Sequence, residues 1–328
     1  MSRYREQVAA ALRAVKIRGP TRYAWLGHAS RPLPAELEAE MDDGARQSYL
    51  ASCLRAELYS SFYCHGRPVP ARWGEREPAT ASPWLVAALS RANTGRGGWQ
   101  RGWTVERLED DAAVIATARI RARAPISDCE APGGIRPGAA VSVRLPKELP
   151  SLSPGFYTAV GDAPAESALG EVRAYWHVTR SGAPELMGAL TARLNAAEVP
   201  FRLKVADHPF RLERCDAAVL YLPAGRFDAL RERLLDVAAA LTAHLRPRIP
   251  AFTLALAPGV GLAEFDGGAE GFGTRRCSLL ADAIVRAHAQ GLTGVAARVG
   301  AVAERFAEAG VRIDAPYREP SLSGRHVL

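Results

Sequence analysis

The chain contains 328 residues, 48% of them hydrophobic, which is enough apolar material for one large domain or two ordinary ones. No apolar run approaches the roughly 20 residues of a membrane-spanning helix, and five cysteines without a CxxC pair argue against a disulfide framework and a structural zinc site. The net charge of +7 favours an acidic partner without choosing between phosphates, acidic peptides, nucleic acid and anionic surfaces. Because the N-terminus has no recognisable signal peptide, we expect a soluble protein of the reducing cytoplasm.

Helices are predicted in the first third of the chain. From Pro32 to Gly66, apolar residues recur at helical spacing, and the glycine is a suitable C-terminal stop. A second helix is predicted from Ser82 to Asn93, where Ser82 can cap the first turn and Pro83 can open it.

Between Trp99 and Val143 the hydrophobic period changes towards two, which is typical of β-strands. The stretches AAVIATARIRAR and AAVSVRLP are predicted strands, and the turn-rich DCEAPGGIRPG between them indicates a meander. The stretch KELPSLSPG, residues 147–155, then predicts a boundary. We expect a helical and β-meander region over residues 1–150 and an α/β region over residues 151–328, which could also form one continuous domain.

Strands and helices alternate in the second half of the chain. The predicted strands are EVRAYWHVT, PFRLKVA, DAAVLYLP and IPAFTLALAP. The predicted helices are APELMGALTARLNAAE, FDALRERLLDVAAALTAHL and residues 276–289 and 294–309. This alternation predicts an α+β (mixed α/β) fold, in which a mixed C-terminal sheet is covered by helices.

The stretch APGVGLAEFDGGAEGFG is the most glycine-rich in the chain. It lacks the GK[ST] ending of a P-loop, and no third glycine completes its G-x-G, so a nucleotide site is not favoured. We interpret it as a flexible loop that carries functional groups, because Glu264, Arg275 and Arg276 flank it and the N-terminus of the following helix would favour an anion. A plain surface loop is the alternative.

The seven histidines indicate no metal site, because none forms an HxxxH or HxH pair. His208 follows a predicted strand directly, on a predicted loop, and is the candidate for proton transfer. The G-x-S-x-G motif of hydrolases and the lysine and catalytic loop of protein kinases are absent, so neither class is supported. We expect neither a metal nor another cofactor.

Lys204 is one of only three lysines among 42 basic residues. It lies in the predicted strand FRLKVA, whose alternation places it on one face with Arg202. A solvated sheet face is the ordinary explanation of this pair. The alternative is a site that needs an amine, since lysine can lose its proton when neighbouring charge or desolvation lowers its pKa, whereas arginine effectively cannot.

Several arginines could supply that neighbouring charge and bind a phosphate through paired hydrogen bonds. They are Arg202, Arg211, Arg214, Arg275 and Arg276. Excess arginine is explained first by genomic bias, which makes each single arginine a weaker indication. A lysine base among arginines that bind phosphate suits removal of a proton beside a carbon that bears a phosphate ester.

Three long stretches of the second half resemble the HopA-type effector family. They are VRAYWHVTRSGAPELMGALTARLNAAEVPFRLKVADHPFRLERCDAAVLYLP, AFTLALAPGVGLAEFDGGAEGFGTRRCSLLADAI and VAERFAEAGVRIDAPY. The stretches YAWLGHAS and LYSSFYCHGRPVP also look like motifs of that family, so the resemblance covers nearly the whole chain. It is strongest to actinobacterial members found in pathways for ribosomally made, modified peptides.

The resemblance implies the lyase component of class V lanthipeptide or thioamide-peptide biosynthesis. In such pathways a kinase-like partner phosphorylates Ser or Thr in a precursor peptide, and the HopA-type protein eliminates phosphate to leave dehydroalanine or dehydrobutyrine. Lys204 is carried over as the base of the motif P-F-x-L-K. Two positions differ from the family pattern, since Leu254 stands where a basic residue is expected and EGFG replaces E-S-F-G.

The resemblance also implies roles for the residues around Lys204. Phosphate binding and site organisation are expected of Arg214 and Asp216 in R-C-D-A-A-V-L-Y, Glu264 in G-L-A-E and Arg276 in F-G-x-x-R-C. Arg202 and Arg275 are further predicted phosphate ligands, and His208 is the predicted acid. The expected partners are a phosphorylated precursor peptide and a kinase-like protein, with no nucleic acid and no membrane.

Two other classes of function stay open. One is a non-catalytic protein that binds the precursor peptide or the kinase-like partner. Aromatic residues of the first third could form its docking surface, although burial in the core is the usual fate of such residues: Tyr23, Trp25, Tyr59, Phe62 and Tyr63. The other is nucleic-acid binding, which the pI of 9.4 suggests but no recognised module supports.

Overall fold

The computed structural model describes residues 2–71, 78–117, 120–150, 152–164, 170–268, 270–322 and 324–328. The helices are α1 (Arg3–Ala14), α2 (Ala35–Glu40), α3 (Asp43–Ser61), α4 (Pro83–Ala92), α5 (Gly182–Ala196), α6 (Phe227–Ala240), α7 (Phe272–Ala289) and α8 (Val295–Glu308). The strands are β1 (Val15–Ile17), β2 (Tyr23–Trp25), β3 (His28–Ala29), β4 (Gly98–Leu108), β5 (Ala112–Ala116), β6 (Arg121–Pro125), β7 (Cys129–Glu130), β8 (Ala140–Leu145), β9 (Phe156–Val160), β10 (Glu171–Trp176), β11 (Arg202–Ala206), β12 (Ala218–Pro223), β13 (Leu254–Ala257) and β14 (Val260–Phe265).

A six-stranded sheet with the order β13-β14-β10-β12-β11-β9 forms the centre of the C-terminal part. Every strand pair in it is antiparallel. The predicted α+β class is confirmed, with antiparallel pairing where a mixed sheet was expected. In the described part of the chain, no helix is long and apolar enough to cross a membrane.

Helices pack on both faces of this sheet, because its strands carry apolar residues towards both sides. On one face, Ala174, Leu203 and their neighbours share a core with α4, α5 and α6. On the other face, Tyr175 and Phe265 share a core with α1, α3, α7 and α8. That second core includes no residue of β9 or β11. The helices therefore leave one edge of the sheet uncovered.

The predicted meander is confirmed as a five-stranded antiparallel sheet with the order β6-β5-β4-β8-β7. It has a small core of its own, which contains Trp103, Ile115 and Val141. The stretch predicted as one strand, AAVIATARIRAR, forms the two strands β5 and β6, which pair antiparallel with Ala116 opposite Arg121. The predicted division at residue 150 stays a prediction.

Two element predictions are wrong in detail. The helix expected over residues 32–66 is broken at Met41, whose backbone is extended, and Asp42 caps the new start by accepting the Ala45 N–H at 2.7 Å. The glycine-rich stretch is not a loop throughout, since its residues 260–265 form the buried strand β14. Gly261 fits there because a Cβ would come within 2.5 Å of the Thr253 hydroxyl oxygen.

Buried Glu264 on β14 holds the last residues of the chain against the sheet. Its side chain has no exposed surface, and it accepts hydrogen bonds from the backbone N–H groups of Glu319 (3.1 Å), Val327 (2.8 Å) and Leu328 (3.1 Å). His326 Nδ1 lies 2.5 Å from one of its oxygens. The hydrogen-bonding capacity of the carboxylate is therefore used within the fold itself.

Arg276 on α7 completes this anchor from the helix side. Its guanidinium group is 2% exposed and donates to the backbone carbonyls of Pro316 (2.8 Å) and Arg318 (2.7 Å). Burial lowers the pKa of Arg276 to about 10, against the opposing charge of Glu319. Arg276 and Glu264 thus fix residues 316–319 and 326–328 from two sides.

Glu264→Gln is expected to lower the free energy of unfolding by about 2 to 4 kcal/mol, because an amide offers one acceptor oxygen to a site that presents several N–H donors. Urea denaturation measures this loss, and Glu304→Gln on the exposed face of α8 is the matched control. Equal unfolding midpoints for Glu264→Gln and the wild type would refute the anchoring role.

Candidate functional site

A pocket of about 210 Å³ opens on the part of the sheet that the helices leave uncovered. Strands β9, β10, β11, β12 and β14 supply its floor, and the loop after β14 contributes Gly267 and Gly268. Polar and charged side chains of its lining include Thr158, Glu171, Arg173, Arg202, Lys204 and Tyr221. The glycine-rich stretch therefore does contribute a loop to the candidate site, after its strand ends.

The strand register brings these side chains together. Lys204 on β11 lies opposite Thr158 on β9, and Arg202 lies opposite Tyr221 on β12. Tyr221 in turn lies opposite Arg173 on β10. Residues that lie directly opposite in an antiparallel pair share a face, with Cβ atoms about 4.5 to 5.5 Å apart.

The amine of Lys204 lies over two aromatic rings. Its Nζ lies 4.4 Å from the centre of the Phe156 ring and 5.8 Å from that of Tyr221. Within the described ranges it makes no hydrogen bond and no ion pair. Lys147, in contrast, donates to the carbonyls of Ser90 (2.9 Å) and Asn93 (3.1 Å), so its charge serves the fold. The Lys204 amine is available to a molecule in the pocket.

Arg173 is a pocket residue that the sequence reasoning missed. Its guanidinium carbon lies 3.5 Å from the centre of the Phe265 ring and 5.0 Å from that of Tyr221, and the side chain is only 13% exposed. Its Nε is buried and has no hydrogen-bond partner in the part of the chain described. The signal for it was an arginine inside the otherwise apolar strand VRAYW.

Thr158 is the second missed residue, and its hydroxyl group is also buried without a partner among the described residues. The residue is 3% exposed. Buried polar groups nearly always have a hydrogen-bond partner, and one without a partner costs about 1 to 3 kcal/mol. Two buried donors without partners, Thr158 Oγ1 and Arg173 Nε, therefore line the pocket that also holds Lys204.

The pocket has an excess of positive charge. Arg173, Arg202 and Lys204 line it together with one carboxylate, Glu171, among the described lining residues. Glu171 accepts from Arg202 at 2.8 Å and contacts Arg173 at 3.5 Å, so it orients both guanidinium groups. A pocket with three cations and one carboxylate suits a dianionic ligand.

Arg214 and Asp216 form an ion pair beside the pocket and do not line it. Arg214 donates to both carboxylate oxygens of Asp216 at 2.8 Å and to the Tyr59 hydroxyl at 3.2 Å. Burial acts to raise the pKa of Asp216, but the charge and hydrogen bonds of Arg214 and the charge of Lys204 hold it below its ordinary value. The pair therefore stays ionised close to Lys204.

The remaining predicted site residues do not line the pocket. His208 caps a short 3₁₀ helix, where its Nδ1 accepts the Phe210 N–H at 3.2 Å. Arg275 is paired with Asp266 at 2.8 Å and Glu319 at 3.2 Å. Arg276 and Glu264 hold residues 316–319 and 326–328, as described above. Both Arg276 and Glu264 make their contacts in the interior, and their predicted phosphate-binding and organising roles stay predictions.

Other kinds of site find no support in the described residues. No group of His, Cys, Asp and Glu there could hold a metal ion. Four of the aromatic residues considered for a docking surface are buried: Tyr23, Trp25, Phe62 and Tyr63. The uncovered sheet edge is therefore the candidate site.

The sequence of the pocket strands matches a known family. The model of the HopA1 effector protein family matches residues 148–318, more than half of the chain and the region that contains every pocket residue. The chain belongs to the HopA1 effector protein family. The predicted HopA-type membership is confirmed.

Two solved structures resemble this HopA1-family chain at low identity. The effector protein from Pseudomonas syringae pv. tomato strain DC3000 is 15% identical, with a TM-score of 0.46 over 83% of this chain and 95% of its own. The effector protein from Pseudomonas syringae pv. syringae strain 61 is 20% identical, with a TM-score of 0.40 over 49% of this chain and 62% of its own. No protein with a curated description matches the chain.

Asp216→Asn is expected to lower the free energy of unfolding by about 3 kcal/mol near neutral pH, because it leaves Arg214 without its counter-charge. The folded-state pKa of Asp216 is depressed, so the contribution of the pair is present above the ordinary aspartate pKa and is lost as the pH falls through the lower folded value. The difference between wild type and variant in urea denaturation should therefore shrink in strong acid. A constant difference at every pH, or none, would contradict the ion pair, and Asp236→Asn on the exposed face of α6 is the control.

Proposed function

We propose that this protein eliminates phosphate from phosphoserine or phosphothreonine in a peptide and leaves dehydroalanine or dehydrobutyrine. The observation that carries the proposal is the Lys204 amine, which has no polar partner among the described residues although Arg173 and Arg202 line the same pocket. The resemblance of the sequence to the lyase component of modified-peptide pathways supports a phosphopeptide as the substrate.

The arginines bind the phosphate. Arg202 and Arg173 can each offer paired N–H donors to phosphate oxygens, and Arg173 has a buried Nε that still lacks a partner. Glu171 and the rings of Phe265 and Tyr221 hold these guanidinium groups in place before the substrate arrives. A phosphate whose second pKa is about 6 is a tolerable leaving group once it is paired with guanidinium groups.

Lys204 removes the Cα proton in its neutral form. The electron pair of the Cα–H bond forms the Cα–Cβ double bond, the Cβ–O bond breaks, and its electrons leave with the phosphate. The proton stays on Lys204 and later passes to solvent. The phosphate dianion stabilises the ammonium group that forms.

Thr158 stabilises the negative charge that develops on the peptide carbonyl. Its hydroxyl group is buried opposite Lys204 and has no partner in the described ranges, so it can donate to the carbonyl oxygen of the residue that loses its proton. His208 is not needed in this mechanism, because the phosphate leaves as an anion paired with arginine. We further propose, from the family resemblance, that a kinase-like partner supplies the phosphorylated precursor peptide.

Lys204→Arg is expected to reduce elimination by about 10² to 10⁴-fold, because arginine keeps the charge but cannot accept the proton. Mass spectrometry of a synthetic phosphoserine peptide, with and without the kinase-like partner, detects the loss of phosphoric acid. Lys16→Arg, an exposed site on β1, is the matched control and should behave as wild type. Undiminished turnover by Lys204→Arg would reject the base, and no turnover by any protein, with peptide binding intact, would favour the non-catalytic binding partner.

Thr158→Val is expected to lower kcat by about 10²-fold while KM for the phosphopeptide stays the same. The reason is that the hydroxyl group donates to the negative charge that develops on the peptide carbonyl and not to the bound substrate before reaction. The hydroxyl group has no partner to lose, so the variant should unfold at the same temperature as wild type or higher. Thr158→Ser restores the donor and should restore most of the rate. A Thr158→Val enzyme with wild-type kcat would remove Thr158 from the mechanism.

A further inference from the structure

A second and larger cavity, a cleft of about 1010 Å³, lies between the meander and the C-terminal sheet. One wall comes from β4 and β8 of the meander, with Trp99, Arg101 and Arg144. Trp99 and Arg144 lie opposite each other in the strand register, so they share a face. The other wall comes from residues 162–164, the end of α5 and Pro200.

The arginines of the meander wall are not committed to the fold. Arg101 and Arg144 are exposed and take part in no ion pair or hydrogen bond of their side chains among the described residues. Arg96, at the same cleft, is 89% exposed, and its Nε lies 3.6 Å from a carboxylate oxygen of Asp162. Elsewhere in the meander, Arg121 and Arg123 are paired with glutamates at 2.6 and 2.7 Å. The cleft therefore holds two cations, Arg101 and Arg144, that have no side-chain partner in the described part of the chain.

The opposite wall adds a buried donor. Asn195 accepts the Asp162 N–H at 3.0 Å through its Oδ1, which fixes the amide group, while its Nδ2 is buried without a partner in the described part of the chain. Asp162 also accepts the N–H groups of Arg96 (2.7 Å) and Gly97 (3.0 Å). Of the two carboxylates among the described residues that line the cleft, Asp162 is hydrogen-bonded by its own wall, and Glu198 is exposed.

The cleft and the pocket have lining residues that are close together in the sequence. Pro200 lines the cleft and Arg202 lines the pocket, so along an extended chain the two positions are about 7 Å apart. The Gly161 N–H donates to the Phe201 carbonyl at 3.0 Å, which extends the pairing of β9 and β11 to this wall of the cleft. A bound peptide could pass from one cavity to the other within about two or three residues.

We propose that the cleft binds an acidic segment of the peptide substrate, a few residues away from the phosphorylated residue. Carboxylates of that segment pair with Arg101 and Arg144, an apolar side chain packs on Trp99, and a backbone carbonyl accepts from Asn195 Nδ2. That this peptide is the substrate rests on the proposed lyase function, whereas the binding of an acidic peptide to the cleft does not. Exposed Glu198 would repel a negative group placed beside it. A peptide with gaps between its negative charges therefore suits the cleft better than a nucleic acid, whose phosphates are continuous.

The test is the affinity of fluorescein-labelled unphosphorylated peptides, measured by fluorescence anisotropy. One peptide alternates Glu and Gly around a single Phe, and the other has Gln in place of each Glu. We expect the wild type to bind the Glu peptide at least about tenfold more tightly than the Gln peptide. The double variant Arg101→Glu, Arg144→Glu should lose that preference, because charge reversal repels the carboxylates.

A matched control separates the cleft from net charge. The double variant Arg136→Glu, Arg233→Glu makes the same change in charge at exposed positions that do not line the cleft, and it should keep the wild-type affinity within about twofold. Equal binding of both peptides, or equal weakening in both double variants, would overturn the proposal. Tighter binding of a short DNA that the cleft variant abolishes would also overturn it, in favour of a nucleic-acid site.

A kinetic measurement links the cleft to the pocket. Attaching the Glu segment to a phosphoserine peptide should lower KM and leave kcat unchanged in the wild type, and the cleft variant should lose this gain while it processes the short phosphopeptide normally. An unchanged KM would show that the cleft does not serve the substrate. If no peptide loses phosphate, the proposed lyase function fails, while the anisotropy experiment still decides whether the cleft binds acidic peptide.

Discussion

The alternation of side chains along β11 is the constraint on which the candidate site depends. Leu203 and Val205 are fully buried against α5 and its neighbours, and their packing fixes which way the strand faces. Arg202 and Lys204 must then point to the opposite, uncovered face. A shift of one residue in the strand register would bury both cations, so the core enforces the geometry of the pocket.

In a chain so rich in arginine, the partners of a guanidinium group indicate whether that arginine stabilises the fold or is available to a ligand. Arg276 and Arg214 are engaged by carbonyls or a carboxylate and stabilise the fold. Arg173 keeps a buried Nε without a partner in the described ranges, and Arg101 and Arg144 have no polar side-chain partner there. Arg173 lies at the pocket and Arg101 and Arg144 lie at the cleft, and the two cavities together would accommodate a phosphorylated peptide with acidic neighbours.

The sequence predicted the parts of the site that depend on local pattern. Strand alternation placed Lys204 with Arg202, and the elements of the C-terminal half predicted an α+β fold. An arginine inside the apolar strand VRAYW marks Arg173 as unusual, but its place in the pocket, like that of Thr158, depends on strand pairings between distant parts of the chain. Glu264 and Arg276 lie in motifs shared with the family, yet a motif does not reveal that its charges are buried against residues 316–319 and 326–328.

The most direct test of the central claim is the origin of the oxygen in the released phosphate. A phosphoserine peptide is incubated with the protein in water enriched in heavy oxygen, and the phosphate is examined by mass spectrometry. Elimination breaks the Cβ–O bond, so the account predicts unlabelled phosphate together with a dehydroalanine peptide. Labelled phosphate together with a serine peptide would show attack of water on phosphorus, and the pocket would then be the site of a phosphatase.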